Sequence, residues 1–233
     1  MKGVKPHEIL SKIQTLPEYN CVCKVCNKQF DSLKKVSCCS NTCCKILRRR
    51  KNQGKFLKSI GVPDRYCNIK MQYDKEVKKN SGLFIYFYGH DKGAGKTHTA
   101  VQKLYWELTK DNVLRTGAFI NSLRFYSMLK KSLSENNPEK ILNKYACKDV
   151  LLIDDFGTER VSWFISEYMY DLIDRRSNNC LMTILTSNKS IREYLESYPE
   201  TDKGLWEIGD RIASRISEGQ QKKVTGKDRR LQL

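Results

Sequence analysis

An α/β fold on a parallel sheet, preceded by a small cysteine-rich module, is what this 233-residue sequence predicts, and three stretches predict it. Residues 83–100, LFIYFYGHDKGAGKTHTA, run from an apolar segment through a glycine-rich loop into helical spacing. Residues 150–155, VLLIDD, form a second apolar run, ended by two carboxylates. Seven of the ten cysteines lie between positions 21 and 44, which sets the front of the chain apart.

The first stretch opens with six apolar or aromatic residues, 83–88, suited to a strand buried on both faces of a parallel sheet. Beyond the loop, Ala100, Val101, Leu104, Tyr105 and Leu108 recur at helical spacing. A glycine-rich loop between a strand and a helix N-terminus is the layout of a phosphate-binding P-loop. Gly93 and Gly95 let backbone N–H groups close around a β-phosphate, and the helix end adds partial positive charge. Lys96 is placed to reach the β- and γ-phosphates of ATP, and the Thr97 hydroxyl to ligate Mg²⁺. Gly89, Ala94 and His98 complete the expected nucleotide contacts. The loop departs from the usual pattern in one respect. The glycine expected five residues before Gly95 is His90, and Gly89 stands one position earlier, so the loop is one residue longer or uses Gly89 differently. A turn that binds nothing is the competing reading, and the strand and helix on either side argue against it.

The second stretch supplies what such a loop needs opposite it. Asp154, at the end of a buried strand, is the expected Mg²⁺ ligand with Thr97, and Asp155 is the expected base or orienting group for the attacking water. Many P-loop enzymes carry the longer glutamate there, and Glu159 is a possible helper.

Composition bounds the setting. No run approaches the roughly 20 apolar residues of a membrane helix, and residues 1–20 lack the apolar core of a signal peptide. The expectation is an intracellular, cytoplasmic protein without membrane contact. The net charge of +17 is uneven: residues 1–82 hold 19 Lys and Arg against 6 Asp and Glu, an excess of +13. A partner for the front third is therefore nucleic acid or an acidic protein surface, against the plainer reading of a basic, soluble face. In an intracellular chain, clustered cysteines favour metal over disulfides.

The rest of the chain follows in order. Ile9, Leu10 and Ile13 mark a short amphipathic helix stopped near Pro17. Cys23-x2-Cys26, twelve residues, then Cys39-x3-Cys43 can surround one tetrahedral Zn²⁺, the second pair entering at a helix start. Cys21, Cys38 and Cys44 compete for places in that set. Lys45, Arg48, Arg49, Arg50, Lys51, Lys55 and Lys58 follow as a basic face on the helix after the second pair, suited to phosphates or to an acidic partner. Gly61-Val62-Pro63 reads as a linker, dividing residues 1–60 from 61–233. Residues 117–120 predict a strand leading into a helix with Leu123, Tyr126, Met128, Leu129 and Leu133. There Phe125 and Tyr126, beside Arg124, Lys130 and Lys131, either stack on single-stranded nucleic acid or belong to the core, with the core reading favoured. Trp163, Ile165, Tyr168, Met169 and Leu172 are expected core residues of the helix after the carboxylates. Residues 181–185 form another apolar run, after which Asn188 is a candidate sensor of the γ-phosphate or a turn-forming asparagine. Ile208, Ile212 and Ile216 share one helix face while Arg211 and Arg215, four apart, share another. One of these arginines could reach a neighbouring subunit's γ-phosphate, or both could form surface ion pairs.

Taken together, LLIDDFGTER, YDLIDRRSNN, LTSN, GDRIASRI and TGKDRR resemble the DnaC/DnaI-type helicase loaders, AAA+ ATPases related to the transposition helper IstB. The resemblance covers about residues 61–233. It implies a five-stranded parallel sheet of the AAA+ type without the usual helical lid, and it places Arg215 ahead of Arg211 as arginine finger. Arg230, and less clearly Arg229, matches a late family arginine near the nucleotide. KVCNKQF followed by CSNTC resembles small treble-clef zinc modules. The implied activity is ATP-dependent placement of a hexameric DnaB-type replicative helicase on single-stranded DNA, with self-association through the ATPase domain and the front domain gripping the helicase. Two rivals stand beside it: a transposition helper wrapping duplex DNA, and a DNA-reading zinc regulator with an ATPase switch.

Overall fold

The computed structural model describes residues 19–69, 82–134 and 137–226. The helix expected around Ile9, Leu10 and Ile13 lies outside them, as do Arg229 and Arg230. The chain divides into two compact units, one of Met1–Lys51 with Asp111–Leu114, the other of Asn52–Lys110 with Arg115–Leu233. This division falls ahead of the Gly61-Val62-Pro63 linker at which the sequence suggested one.

In the first unit, β1 (Tyr19–Val22) pairs antiparallel with β2 (Gln29–Ser32). The turn between them is closed by the Cys23 N–H donating to the Lys28 carbonyl at 2.9 Å, with Asn27 in the left-handed region at φ 58°. Asparagine tolerates that conformation better than most residues. Helix α1 (Asn41–Lys51) begins with Cys43 in its first turn and buries Cys43 and Ile46. Lys45, Arg48, Arg49, Arg50 and Lys51 lie on this helix. Lys55 and Lys58 do not extend its basic face. They sit on a separate helix, α2 (Gln53–Ser59), because the backbone breaks at Asn52 (φ −116°, ψ 47°) and Leu57 is drawn into the core of the second unit.

The second unit is built on five parallel strands: β3 (Phe84–Tyr88), β4 (Gly117–Asn121), β5 (Val150–Asp154), β6 (Met182–Ser187) and β7 (Gln220–Lys223). Their order is β4-β5-β6-β3-β7. Side chains alternate between the faces of a strand, so both faces must be covered. Phe84 and Tyr86 of β3 enter one apolar cluster, and Ile85 and Phe87 enter the other. Helix α2, the short helix α3 (Asp64–Cys67) and α4 (Lys96–Thr109) supply Leu57, Cys67, Ala100, Leu104 and Leu108 to the second cluster. The first is closed by α5 (Ser122–Leu133), α6 (Pro138–Ala146), α7 (Trp163–Asn178), α8 (Ile191–Glu196) and α9 (Lys203–Ser217). Among the described residues no helix follows β7.

Two aromatic readings are decided by burial. Phe125 and Tyr126 are 0% and 4% exposed, so they are core and offer no stacking surface. Trp163, expected in the core, is 46% exposed. Its indole N–H donates to Asp202 at 2.9 Å and its ring lies against Gly204, so one face covers α9 while the other meets solvent.

Arg176 on α7 is wholly buried. Its guanidinium donates to Thr183 Oγ1 (2.9 Å) and to the carbonyls of Tyr145 (3.0 Å), Ala146 (3.1 Å), Lys148 (2.7 Å) and Met182. Those carbonyls belong to the end of α6, the turn after it and the start of β6, so one side chain ties three segments together. Burial pulls its pKa down, and the carbonyl dipoles hold the charge in place. Arg176→Met should remove on the order of 3 kcal/mol of stability, read as a lower urea midpoint, because buried carbonyls lose their donors. An unchanged midpoint would contradict that role.

Candidate functional site

The glycine-rich loop leaves β3 at Gly89, whose φ of +153° is matched by a tight approach: a Cβ there would lie 2.3 Å from the Val224 carbonyl oxygen. Glycine is thus required where the chain beyond β7 passes the loop. Gly93 (φ 71°) and Gly95 (φ 101°) are left-handed, and Gly95 caps α4. Ala94 and Lys96 are buried, and His98 is half-buried in the first turn of α4. The Lys96 ammonium donates to the carbonyls of Gly89 (2.7 Å) and Asp91 (3.0 Å), which holds a positive charge within the curve of the loop. The additional residue, His90, reaches Glu193 of α8 at 3.1 Å. Asp91 accepts the Gly226 N–H at 3.2 Å, so the last described residues run beside the loop.

Strand β6 lies between β3 and β5, and its end bridges the loop to the two carboxylates. Asp154 Oδ1 accepts the Thr97 hydroxyl at 2.8 Å and the Thr186 hydroxyl at 2.6 Å. Burial pushes the Asp154 carboxyl up, and these hydroxyls work against that shift. Arg65 of α3, which the sequence reading left in a lead-in segment, acts on the same carboxyl electrostatically in the opposite sense to burial. The two residues expected to share Mg²⁺ therefore already face each other.

Asp155 is left-handed (φ 57°), its N–H donating to Thr186 Oγ1 at 3.1 Å. Its carboxylate accepts the Asn121 side-chain N–H at 3.1 Å, while the Asn121 carbonyl oxygen caps α5 by accepting the Leu123 N–H at 3.1 Å. That second bond fixes which end of the amide faces Asp155. Asn121 was missed in the sequence; the only signal was an Asn at a helix start. Glu159 sits in a cage of hydroxyls, accepting from Ser122 (3.0 Å) and Tyr126 (3.2 Å), and burial pushes its pKa up.

The remaining candidates lie apart from this network. Asn188 is exposed one residue beyond β6. Arg211 lies over the Tyr170 ring, 6.0 Å from its centroid. Arg215 pairs with Asp174 of α7 at 3.0 Å and, more loosely, with Glu218 at 3.8 Å.

In the first unit the sulfurs of Cys23, Cys26, Cys39 and Cys43 all lie within 4.8 Å of one another. Cys26 to Cys39 is 3.5 Å, Cys39 to Cys43 3.8 Å and Cys43 to Cys26 4.0 Å. A tetrahedral Zn²⁺ with bonds of about 2.3 Å sets its sulfurs about 3.8 Å apart, so the donor set fits. Although burial opposes it, the backbone N–H groups around Cys23 bring its thiol down to about 6, while hydrogen bonding to Cys26 pushes Cys39 up to about 12. Cys38 and Cys44 are bonded to each other, and Cys21 lies 4.0 Å from the Lys34 carbonyl, so none of the three competing cysteines joins the cluster.

Residues 85–228 match the family of IstB-like ATP binding proteins. The chain belongs to that family. No curated protein matches the chain. Among solved structures it is similar to the DnaC helicase loader (23% identity, 80% of this chain and 92% of that one, TM-score 0.50) and to DnaI (23%, 70% and 88%, 0.52). It is also similar to AMPPCP-bound DnaA from Aquifex aeolicus (18%, 65% of this chain, 0.52), of whose length it spans 43%. These likenesses establish an AAA+ fold, which matches the five-stranded sheet. ATP binding comes with membership of that family.

Two outcomes follow. Lys96→Ala should weaken ATP binding by roughly a hundredfold, the loss of one charge-assisted contact, measured with a fluorescent ATP analogue; unchanged affinity would remove Lys96 from the site. Treating the protein with a strong chelator should release about one zinc per chain and abolish the helical signal of the first unit. Absence of zinc from protein purified under reducing conditions would sink that assignment.

Proposed function

We propose that this chain hydrolyses ATP in order to load a hexameric DnaB-type replicative helicase onto single-stranded DNA. The observation that carries the reading is the hydrogen-bonded chain from Thr97 through Asp154 and Thr186 to Asp155 and Asn121. It joins the phosphate loop to a carboxylate held in one orientation, which is the arrangement hydrolysis needs. Bound Mg²⁺–ATP supplies the phosphoanhydride that is cleaved. Lys96 and the loop N–H groups hold its phosphates, with Gly89, Gly93, Ala94, Gly95 and His98 around them. Thr97 and Asp154 hold the metal, and Asp155 takes the proton of the attacking water while Asn121 keeps its carboxylate aimed.

Arg215, with Arg211 as second choice, serves a neighbouring subunit's nucleotide. This requires Arg215 to exchange Asp174 for a phosphate, an exchange that self-association would drive. Asn188 senses the γ-phosphate from the end of β6, and Arg230, by its match to a late family arginine, serves the same nucleotide. The front unit, its cysteines holding zinc, presents α1 with Lys45, Arg48, Arg49, Arg50 and Lys51 to an acidic face of the helicase. The zinc-bearing front favours loading over the second reading, a transposition helper on duplex DNA. That reading keeps its place because the matching family is named for IstB.

Asn121→Ala should lower hydrolysis by roughly tenfold and leave ATP affinity in place, since one orienting hydrogen bond to Asp155 is lost. Arg215→Ala should reduce hydrolysis only in the assembled state. The reading itself is tested by ATP-dependent transfer of a DnaB-type hexamer from its own host onto a circular single strand. Transfer that needs both this protein and an intact Lys96 supports it, whereas ATP-dependent polymerisation on duplex DNA without transfer would favour the transposition helper.

A further inference from the structure

The hydrolytic reading leaves Glu159, just beyond Asp155 in the chain, without a task, yet its surroundings are built around it. The residue is half-buried, with Oε2 accepting the Ser122 hydroxyl at 3.0 Å and Oε1 the Tyr126 hydroxyl at 3.2 Å. Burial pushes its pKa up, and the N–H groups of Gly157 and of Glu159 itself work with the hydroxyls to favour the charged form. Among the described residues no lysine, arginine or histidine pairs with it. A carboxylate accepts at every site and donates at none, so it suits a cage of donors that an amide would match only in part.

A single hydroxyl joins this cage to Asp155. Ser122 Oγ lies 2.8 Å from the Asp155 carbonyl oxygen and 3.0 Å from Glu159, so both ends of the turn 155–159 rest on one residue of α5. Thr158 Oγ1 donates to the same carbonyl at 2.7 Å. Asn121, next to Ser122, holds the Asp155 carboxylate. The start of α5 therefore grips the turn at the Asp155 side chain, at its carbonyl and at Glu159. Strand β6 holds the other side: the Phe156 N–H donates to the Thr186 carbonyl at 2.8 Å, and the Ser187 hydroxyl to the Phe156 carbonyl at 2.7 Å.

The turn needs both grips. Asp155 (φ 57°) and Gly157 (φ 76°) are left-handed, and a residue with a Cβ keeps that conformation only where its surroundings impose it. At Gly157 a Cβ would stand 2.9 Å from the Tyr194 ring, so α8 closes the turn as well. Both Glu159 oxygens are already engaged, which makes it a poor acceptor for a proton from water. Its influence on the reaction passes instead through Ser122 to the backbone that carries Asp155.

We propose that Glu159 is a positioning residue for ATP hydrolysis: through Ser122 and the start of α5 it locks the 155–159 turn in the conformation that aims the Asp155 carboxylate. The assignment rests on the reading of Asp155 as the group that takes the proton of the attacking water. Asn121 tethers that group by its side chain, and Glu159 tethers it by its backbone.

The test is ATP turnover by the full-length protein with the host's helicase hexamer and single-stranded DNA present. The wild type is compared with Glu159→Ala, Glu159→Gln, Tyr126→Phe, Asp155→Asn and the double variant Asn121→Ala/Glu159→Ala. Glu159→Ala should lower kcat roughly tenfold while KM and mant-ATP affinity stay unchanged, the loss of one charge-assisted hydrogen bond. Glu159→Gln keeps one acceptor in place and should recover to within about threefold of wild type. Tyr126→Phe removes one donor without opening the core; it should lower kcat about threefold, and it carries the test if the alanine variant does not fold. The double variant should fall well short of the roughly hundredfold product of independent sites, because both residues act on one carboxylate. Wild-type kcat in Glu159→Ala, beside an inactive Asp155→Asn, overturns the positioning role and leaves the reading of Asp155 standing. ATP affinity that falls in step with kcat and is not restored by glutamine marks a general structural role and overturns it too, as does a double variant at the full product. Undiminished turnover by Asp155→Asn, or none by the wild type, overturns the reading of Asp155 and the positioning role together.

Discussion

Asp154 is buried where β5 ends, and one of its oxygens accepts hydroxyls from two directions, Thr97 on α4 and Thr186 on β6. A carboxylate in that position is costly unless donors meet it. The strand order supplies them, because β6 inserted between β3 and β5 brings Thr186 alongside. The same Thr186 oxygen accepts the Asp155 N–H, so the left-handed turn that aims Asp155 depends on the pair. The loop, the sheet end and the second carboxylate are thereby held as one unit, and the arginines of α9 remain outside it, engaged with α7.

How much of this could be read in the sequence depended on whether a residue's role was local. The buried strands β3 and β5 were legible as apolar runs, and Gly93, Gly95, Lys96 and Thr97 as a loop, because their spacing along the chain is their geometry. The clustering of Cys23, Cys26, Cys39 and Cys43 was legible for the same reason, and only the structure separated them from Cys21, Cys38 and Cys44. Asn121 was hidden because its partner Asp155 is distant in sequence. Arg176 looked like any surface arginine of a helix, and its burial follows from carbonyls contributed by α6 and β6. Strand β7, Gln220–Lys223, has no apolar alternation and exists because β3 offers it an edge. Trp163 erred in the other direction: its size suggested the core, while its indole N–H found Asp202 at the surface.

Charge is organised on two scales. The front unit carries a dense basic helix beside its cysteine cluster, where attraction to an acidic surface is long-ranged and weakened by salt. The second unit spreads its excess, 31 Lys and Arg against 22 Asp and Glu, over a much longer stretch of chain. Its two carboxylates at the end of β5, Asp154 and Asp155, are met by neutral hydroxyl and amide donors, which orient a carboxylate without adding net charge.

The most direct measurement is native mass spectrometry of this protein mixed with the DnaB-type hexameric helicase of its host, with a non-hydrolysable ATP analogue and Mg²⁺. The account predicts a defined complex of loader and helicase, carrying about one zinc per loader as a single four-thiolate site requires. Free helicase hexamers beside a protein that instead assembles on added duplex DNA would contradict it.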